Sequence, residues 1–194
     1  MSPIPTRTAV TDSPVLDIFA ERWSTRIFDA TAPLDEAAFA SALEAARWAP
    51  SAGNTQPWHA IVARRGTAEH QRVLDALLGF NQSWAGSASA LVVFVAETAR
   101  EDGDPLNWAV YDTGQAAAYF TIQAHAGGLA THQMGGFQRD QVAAAFDLDP
   151  RFEPIAVVAV GTLGDAGAAS EILRERESAP RTRRPVAESL FVDA

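Results

Sequence analysis

Two arginines and a serine stand at alternating positions in the segment RWSTRIF, which begins at Arg22. In an extended chain Arg22, Ser24 and Arg26 share one side, whereas in a helix the two arginines share a face that Ser24 leaves. Planar guanidinium groups suit phosphate or carboxylate, because their donors form paired hydrogen bonds. The segment is therefore a candidate anion site. The simpler alternative is a solvated surface with ion pairs to Glu21 and Asp29.

A second group of arginines lies near the other end of the chain, in the segment APRTRRPVAESLF. Arg181, Arg183 and Arg184 stand close together there. A frayed basic terminus is the ordinary explanation for such a group. The stretch VAESLFV that follows is apolar and β-prone, which is unusual for a disordered end.

Two loops carry groups that could contact a flat ligand. In APSAGNTQPW, residues 49–58, backbone N–H groups and the Asn54 and Gln56 amides could bind a planar molecule. In GGLATHQMGGF, residues 127–137, paired glycines let the backbone approach a ligand without a Cβ in the way. Ordinary connecting loops and turns are the alternatives in both places.

Composition removes several chemistries. All fifteen basic residues are arginine and there is no cysteine, which excludes Schiff-base lysines, P-loop lysines, thiol nucleophiles and iron–sulfur ligands. The four histidines lack metal-ligand spacing, so we predict no metal, and no G-x-S-x-G elbow is present. A net charge of −9 argues against nucleic-acid binding. Difficult chemistry would therefore need a bound cofactor.

No segment has the length or apolar character of a signal peptide, an anchor or a membrane span, so we predict a cytoplasmic protein without membrane contact. Hydrophobic periodicity predicts one α+β domain over residues 14–194, with an N-terminal arm at 1–13 and a C-terminal extension at 165–194. The predicted helices cover residues 13–22, 34–50, 67–78, 107–128 and 139–146. The predicted strands cover 59–66, 90–97 and 154–163.

The longest predicted helix has an unusual middle. Gly114 and the alanines 116–118 are small, whereas Trp108, Tyr111 and Tyr119 are large. Small side chains let helix backbones approach closely, which favours tight packing on another helix. That helix could belong to the same chain or to a second subunit, and both alternatives stay open.

Taken in order, the segments ERWSTRIF, LEAARWAPSAGNTQPWHAIV, GLATHQMGGF, EPIAVVAVG and RTRRPVAESLF resemble the FMN-dependent nitroreductase family, from about Leu16 to the C-terminus. The resemblance implies a mixed, mainly antiparallel central sheet flanked by helices. It also implies a homodimer with FMN at the subunit interface and a C-terminal tail that is exchanged with the partner. We expect VAESLFV to wrap the partner and to add a strand to its sheet.

The resemblance also implies a set of cofactor-binding residues. Arg22, Ser24, Arg181 and Arg183 would hold the FMN phosphate, and Arg26 would lie near the ribityl chain and the pyrimidine edge. The remaining positions of the set are Trp23, Pro50, Ser51, Ala52, Asn54, Asn81, Met134, Gly135 and Gly136. Pro50, Ser51 and Ala52 would come from the other subunit. Trp23 and Trp84 replace polar or basic residues of familiar members.

The implied reaction is ping-pong electron transfer from NADH or NADPH, through FMN, to a small flat acceptor such as a nitroaromatic or quinone. No side chain is predicted to be catalytic beyond the flavin, with Arg26 as electrostatic support and the Gly135 N–H as backbone support. Two alternatives are kept: a flavin-binding module without turnover, such as a sensor or carrier, and a family member that acts on flavin itself or on halogenated aromatics.

Overall fold

Six helices and four strands follow one another in the part of the chain that the structure, a computed structural model, describes, which is residues 7–192. In chain order these are α1 (Asp17–Glu21), α2 (Glu36–Arg47), β1 (Trp58–Arg64), α3 (Ala68–Ala76), β2 (Ala90–Glu97), α4 (Ala109–Ala126), β3 (Ala130–Met134), α5 (Arg139–Ala145), β4 (Phe152–Gly161) and α6 (Glu171–Ser178). None of the helices described is long and apolar enough to cross a membrane.

The four strands form one sheet in the order β1-β2-β4-β3, and every neighbouring pair is antiparallel. A single parallel bridge between Ser24 and Thr131 adds the segment that begins at Arg22 to the edge of this sheet. The predicted α+β class and mainly antiparallel sheet are confirmed.

Strand β2 lies inside the sheet and is buried on both faces, which explains its uninterrupted apolar sequence. Leu91, Val93 and Val95 pack into a core beneath α3 and α5. Val92 and Phe94 point the other way, into a core built with α2 and α4. The sheet is therefore covered by helices on both sides, and its two cores follow from the alternation of side chains along a strand.

Local signals decide where α2 and α3 begin. The Asp35 side chain accepts hydrogen bonds from the N–H groups of Ala37 and Ala38, and Thr67 accepts one from His70. Such caps satisfy donors that the first turn of a helix leaves unpaired. Helix α3 ends at Ala76, before the predicted end at residue 78.

One further helix start was wrong and two elements were missed. Helix α1 begins at Asp17 rather than near residue 13, and it has no buried residue. Strand β3 was missed, because its sequence ATHQM is short and mixed and its pairing with β4 is a tertiary contact. Helix α6 was missed within the predicted tail, because it is largely polar and buries only Glu177.

The stretch VAESLFV forms a short 3-10 turn at Val186–Ser189 in this chain. Its predicted addition to a partner's sheet stays a prediction.

The small residues of α4 divide between two environments. Ala116 and Ala117 are buried in the core shared with α2, so packing within the chain is confirmed for them. Gly114 and Ala118 face outward, on the side of the exposed Trp108 and Tyr111.

Candidate functional site

The segment that begins at Arg22 is extended and is fastened to the sheet at both ends. Near its start, Ser24 bridges Thr131 of β3, and the Thr25 carbonyl oxygen lies 2.8 Å from Nδ1 of His132. At its far end the Asp29 N–H donates to the carbonyl oxygen of Thr162 at 2.9 Å. Of the two conformations considered from the sequence, the extended one is the one observed.

Alternation in this extended segment holds for Thr25 and Ile27 but not for Trp23, which lines the same cavity as the arginines. Thr25 and Ile27 are buried, whereas Arg22, Ser24 and Arg26 all line one cavity of about 350 Å³. Burial of the apolar side of the segment therefore turns its arginines toward a common space.

We call this space the cation cavity. Its lining consists of Arg7, Arg22, Trp23, Ser24, Arg26, Arg176, Glu177, Ala179, Pro180, Arg181, Thr182 and Arg183. Six arginines and one carboxylate thus surround it. None of these arginines forms an ion pair with a carboxylate within residues 7–192. The ion-pair explanation with Glu21 and Asp29 does not hold.

Mutual repulsion is visible in the arginines themselves. Burial lowers the pKa of Arg22, and the positive charges of Arg181 and Arg183 lower it further. The pKa of Arg26 is lowered by burial and then by Arg176. A guanidinium stays charged in proteins, so the cavity concentrates positive charge that an anion would relieve.

Arg181 joins the two ends of the chain. Its guanidinium donates to the carbonyl oxygens of Ala20 at 2.5 Å and Arg22 at 2.8 Å, and also to that of Arg7. It therefore satisfies carbonyl groups at the end of α1 and fixes the backbone from which Arg22 projects. Arg183 is exposed and donates to the neighbouring Thr182 carbonyl oxygen.

A second group of predicted residues comes together at the end of β3. The Asn81 amide donates to the Gly136 carbonyl oxygen at 3.3 Å, and Met134 is buried next to the glycine pair. A Cβ placed on Gly135 would meet no atom within 4 Å. Phe80, beside Asn81, lies under the Arg176 guanidinium at 4.3 Å, so this group adjoins the cation cavity.

The two unusual tryptophans have different environments. Trp23 lines the cation cavity, and its Nε1 donates to Glu177 at 2.5 Å. Trp84 is only 2% exposed and packs against His132 and Phe28, at 4.7 Å and 6.2 Å between ring centroids. Its Nε1 has no hydrogen-bond partner among the described residues. Position 84 therefore supplies core packing and a buried donor.

The loop that carries Pro50, Ser51, Ala52 and Asn54 lies outside the lining of the cation cavity. It is held by α4: the Ala52 N–H donates to Asp112 at 3.0 Å, and Gln115 donates to the Pro50 carbonyl oxygen at 3.4 Å. The left-handed backbone of Gly53 and Asn54, with φ of 59° and 55°, completes a shaped turn.

Four residues that form the cation cavity or hold the 50–54 loop were not predicted from the sequence. Arg7 and Arg176 line the cation cavity, Glu177 pairs with Trp23, and Asp112 holds the 50–54 loop. A charged residue in an otherwise buried helical stripe is the one signal that could have marked Asp112. Nothing in the polar sequence of α6 distinguishes Glu177 from its neighbours.

Comparison with known proteins gives a consistent result. The Nitroreductase family profile matches residues 19–83 and 75–162. An uncharacterized 15.4 kDa protein of Mycolicibacterium smegmatis is 38% identical over 138 residues, which cover 68% of this chain and 92% of that protein. The oxygen-insensitive NAD(P)H nitroreductase of Enterobacter cloacae is 33% identical over 90 residues, 45% of this chain and 42% of that enzyme.

Among solved structures, an oxidoreductase described as containing FMN superimposes with a TM-score of 0.87 and 34% identity, covering 94% of this chain and 93% of that one. The family match spans well over half of the sequence, and the structural match extends over nearly all of it. The chain therefore belongs to the nitroreductase family.

Proposed function

We propose that this protein is an NAD(P)H-dependent oxidoreductase that holds FMN by its phosphate in the cation cavity. The observation that carries the proposal is the cavity itself: six arginines, none of them ion-paired within residues 7–192, around a space of about 350 Å³ in a protein of net charge −9. Only a local excess of guanidinium groups can hold a phosphate dianion against that overall repulsion.

The residues present fit FMN at both of its ends. Arg22, Ser24 and Arg183 offer donors to the phosphate, and Arg181 supports them by fixing the backbone before Arg22. At the other end, the open space over Gly135 lets a flat ring approach the backbone.

Bound FMN would supply two-electron redox chemistry between NADH or NADPH and a nitroaromatic or quinone acceptor, in a ping-pong cycle. The protein's part is to bind, orient and stabilise charge. Arg26 would place a fixed positive charge beside the cofactor, and the backbone at Gly135 and the Asn81 amide would orient the ring. No side chain is assigned as a general acid.

The loop at residues 50–54 would border the ring from the partner subunit of a homodimer. Its absence from the cation cavity of its own chain supports this arrangement, as does the outward aromatic face of α4. The homodimer, the exchanged tail and the cytoplasmic location stay predictions, as do the roles of the individual cofactor-binding residues.

Anaerobic spectroscopy of the purified protein tests the proposal. We expect a flavin absorbance spectrum, stoichiometric with the chain after reconstitution with FMN, that bleaches with NADH or NADPH. The colour should return on adding a quinone or a nitroaromatic. A protein that cannot be reconstituted with FMN contradicts the proposal. A yellow protein inert to both nicotinamides supports the non-catalytic flavin-binding module instead.

A further inference from the structure

The single carboxylate in the cation cavity is out of place on electrostatic grounds. Glu177 lines the same space as the six arginines and is 8% exposed. A negative charge there repels a phosphate dianion, and it forms no ion pair with any of those arginines within residues 7–192. Its charge raises the pKa of Arg26 and so offsets part of the effect of Arg176, but it leaves the six positive charges of the cavity largely uncompensated.

The hydrogen bonds of Glu177 indicate another role. Oε1 accepts from the Trp23 indole at 2.5 Å, and Oε2 accepts from the backbone N–H of Arg26 at 3.3 Å. One carboxylate thus binds two positions of the extended segment, on either side of Ser24. The carboxylate comes from α6, more than 150 residues later in the chain.

The neighbouring residues of α6 extend this connection. Arg176 lies over the ring of Phe80, next to Asn81, and residues 179–183 continue directly into the wall of the cation cavity. Glu177 is the one buried residue of α6, and Leu173 packs against the hydrophobic core as a partly buried side chain. Within residues 7–192, the two hydrogen bonds of Glu177 are the side-chain hydrogen bonds that join α6 to the segment beginning at Arg22.

We propose that Glu177 is a positioning residue for cofactor binding, which holds the Trp23–Arg26 backbone and the C-terminal arginines in the arrangement that grips the phosphate. The inference rests on the proposed function and names a residue outside the predicted cofactor-binding set. The negative charge of Glu177 and its hydrogen bonds are expected to affect FMN affinity in opposite directions. Repulsion alone predicts that removing Glu177 tightens FMN binding, whereas a positioning role predicts that it weakens it.

The test compares Glu177→Ala with Glu175→Ala, which removes an exposed carboxylate from the same helix outside the lining of the cavity. The dissociation constant for FMN is measured by fluorescence quenching. Loss of two hydrogen bonds from a partly desolvated segment should weaken FMN binding about tenfold in Glu177→Ala. The control should stay within about twofold of the wild type, a conventional margin for an exposed change.

Two further variants show that the effect passes through Trp23. Trp23→Phe removes one donor, and we expect a smaller loss of FMN affinity than in Glu177→Ala. The double variant should bind no more weakly than Glu177→Ala alone if Trp23 acts only by donating to Glu177, and a further loss would instead reflect direct contact of Trp23 with FMN. Glu177→Gln retains one acceptor oxygen without the charge, so its affinity should fall between those of the wild type and Glu177→Ala.

A measurement on the FMN-free protein separates this inference from the proposed function. Hydrogen exchange at the Arg26 amide should be faster in Glu177→Ala than in the wild type or Glu175→Ala, since its acceptor is gone. Unchanged exchange, or tighter FMN binding in Glu177→Ala, overturns the positioning role. If the wild type fails to bind FMN while Arg26 exchange still responds to the substitution, the proposed function fails and the positional contact stands.

Discussion

The cation cavity and the 50–54 loop differ in how much of each is complete within one chain. The cavity is closed by residues from both ends of the same polypeptide, with Arg181 bonded to carbonyl oxygens near Arg22. The loop is bonded to Asp112 and Gln115 of α4, yet it is largely exposed and lies outside the cavity of its own chain. Under the proposed function, the phosphate would thus be held within one subunit, whereas the loop would border the flavin ring of a partner subunit.

The largest effect is expected from removing a guanidinium from the cation cavity, which tests whether this cavity binds the FMN phosphate. Arg22→Ala should weaken FMN binding about 100-fold, because it removes charge-assisted hydrogen bonds to a phosphate at a partly desolvated site. Titration calorimetry measures the change, and sedimentation should show an unaltered subunit assembly.

Arg184→Ala is the matched control, since Arg184 belongs to the same tail but does not line the cavity. It should leave FMN affinity within about threefold, the effect of losing one screened surface charge. Equal losses in the two variants would mean that general charge, rather than the cavity, holds the anion.

A substitution on the outward face of α4 tests the other half of the comparison. Gly114→Arg places a charge where a Cβ meets no atom within 4 Å, so the single chain should fold normally. If this face forms the dimer interface, sedimentation of the variant should show monomers. FMN affinity should then fall about tenfold, because the partner's 50–54 loop is lost while the cation cavity stays intact. Gln141→Arg on the exposed side of α5 is the control.

Either of two results would contradict this arrangement. A stable dimer in Gly114→Arg would place the interface elsewhere. Monomers with wild-type FMN affinity would show that the ring end, like the phosphate end, is complete within one chain.

Asp112→Ala tests the role of the 50–54 loop separately, because Asp112 bonds to this loop and does not line the cation cavity. The substitution removes the Asp112 carboxylate, which is only 3% exposed and accepts the hydrogen bond from the Ala52 N–H. Loss of this bond should lower the free energy of unfolding by about 1–3 kcal/mol. We expect slower reduction of bound FMN by NADH or NADPH and a nearly unchanged FMN dissociation constant. Asp112→Asn retains an acceptor oxygen and should restore most of both losses, as followed by urea unfolding and stopped-flow absorbance.

The last and weakest effect that we predict is a pH dependence of the free energy of unfolding that arises from His132. Burial lowers the pKa of His132, whose Nδ1 pairs with the Thr25 carbonyl oxygen behind the cavity. The unfolded chain then binds more protons than the folded one below about pH 6.5, so stability should fall as the pH drops through that value. His132→Asn should reduce this slope, by at most about 1.4 kcal/mol per pH unit. An identical slope in urea unfolding from pH 7.5 to 5.5 would contradict the assignment.

Much of the architecture follows from local features. The apolar run of β2 predicts a buried strand, and the helices predicted from residues 34 and 67 begin within two residues of those positions, after the capping side chains of Asp35 and Thr67. The spacing of Arg22, Ser24 and Arg26 predicted a shared side if the chain is extended there, and the three side chains do line one cavity. These features are predictable because each depends on side chains close together in sequence.

Local sequence patterns therefore predict the order of the main elements and the positions of the arginines that could meet an anion. The tertiary fold makes the segment after Arg22 extended, because β3 supplies the bridge to Ser24. It also decided that Glu177 reaches Trp23 and that Asp112 holds Ala52, contacts between residues 60 to 154 positions apart. Local patterns carry no information about such pairs, since their energies exist only once the packed sheet and helices bring the partners within hydrogen-bonding distance.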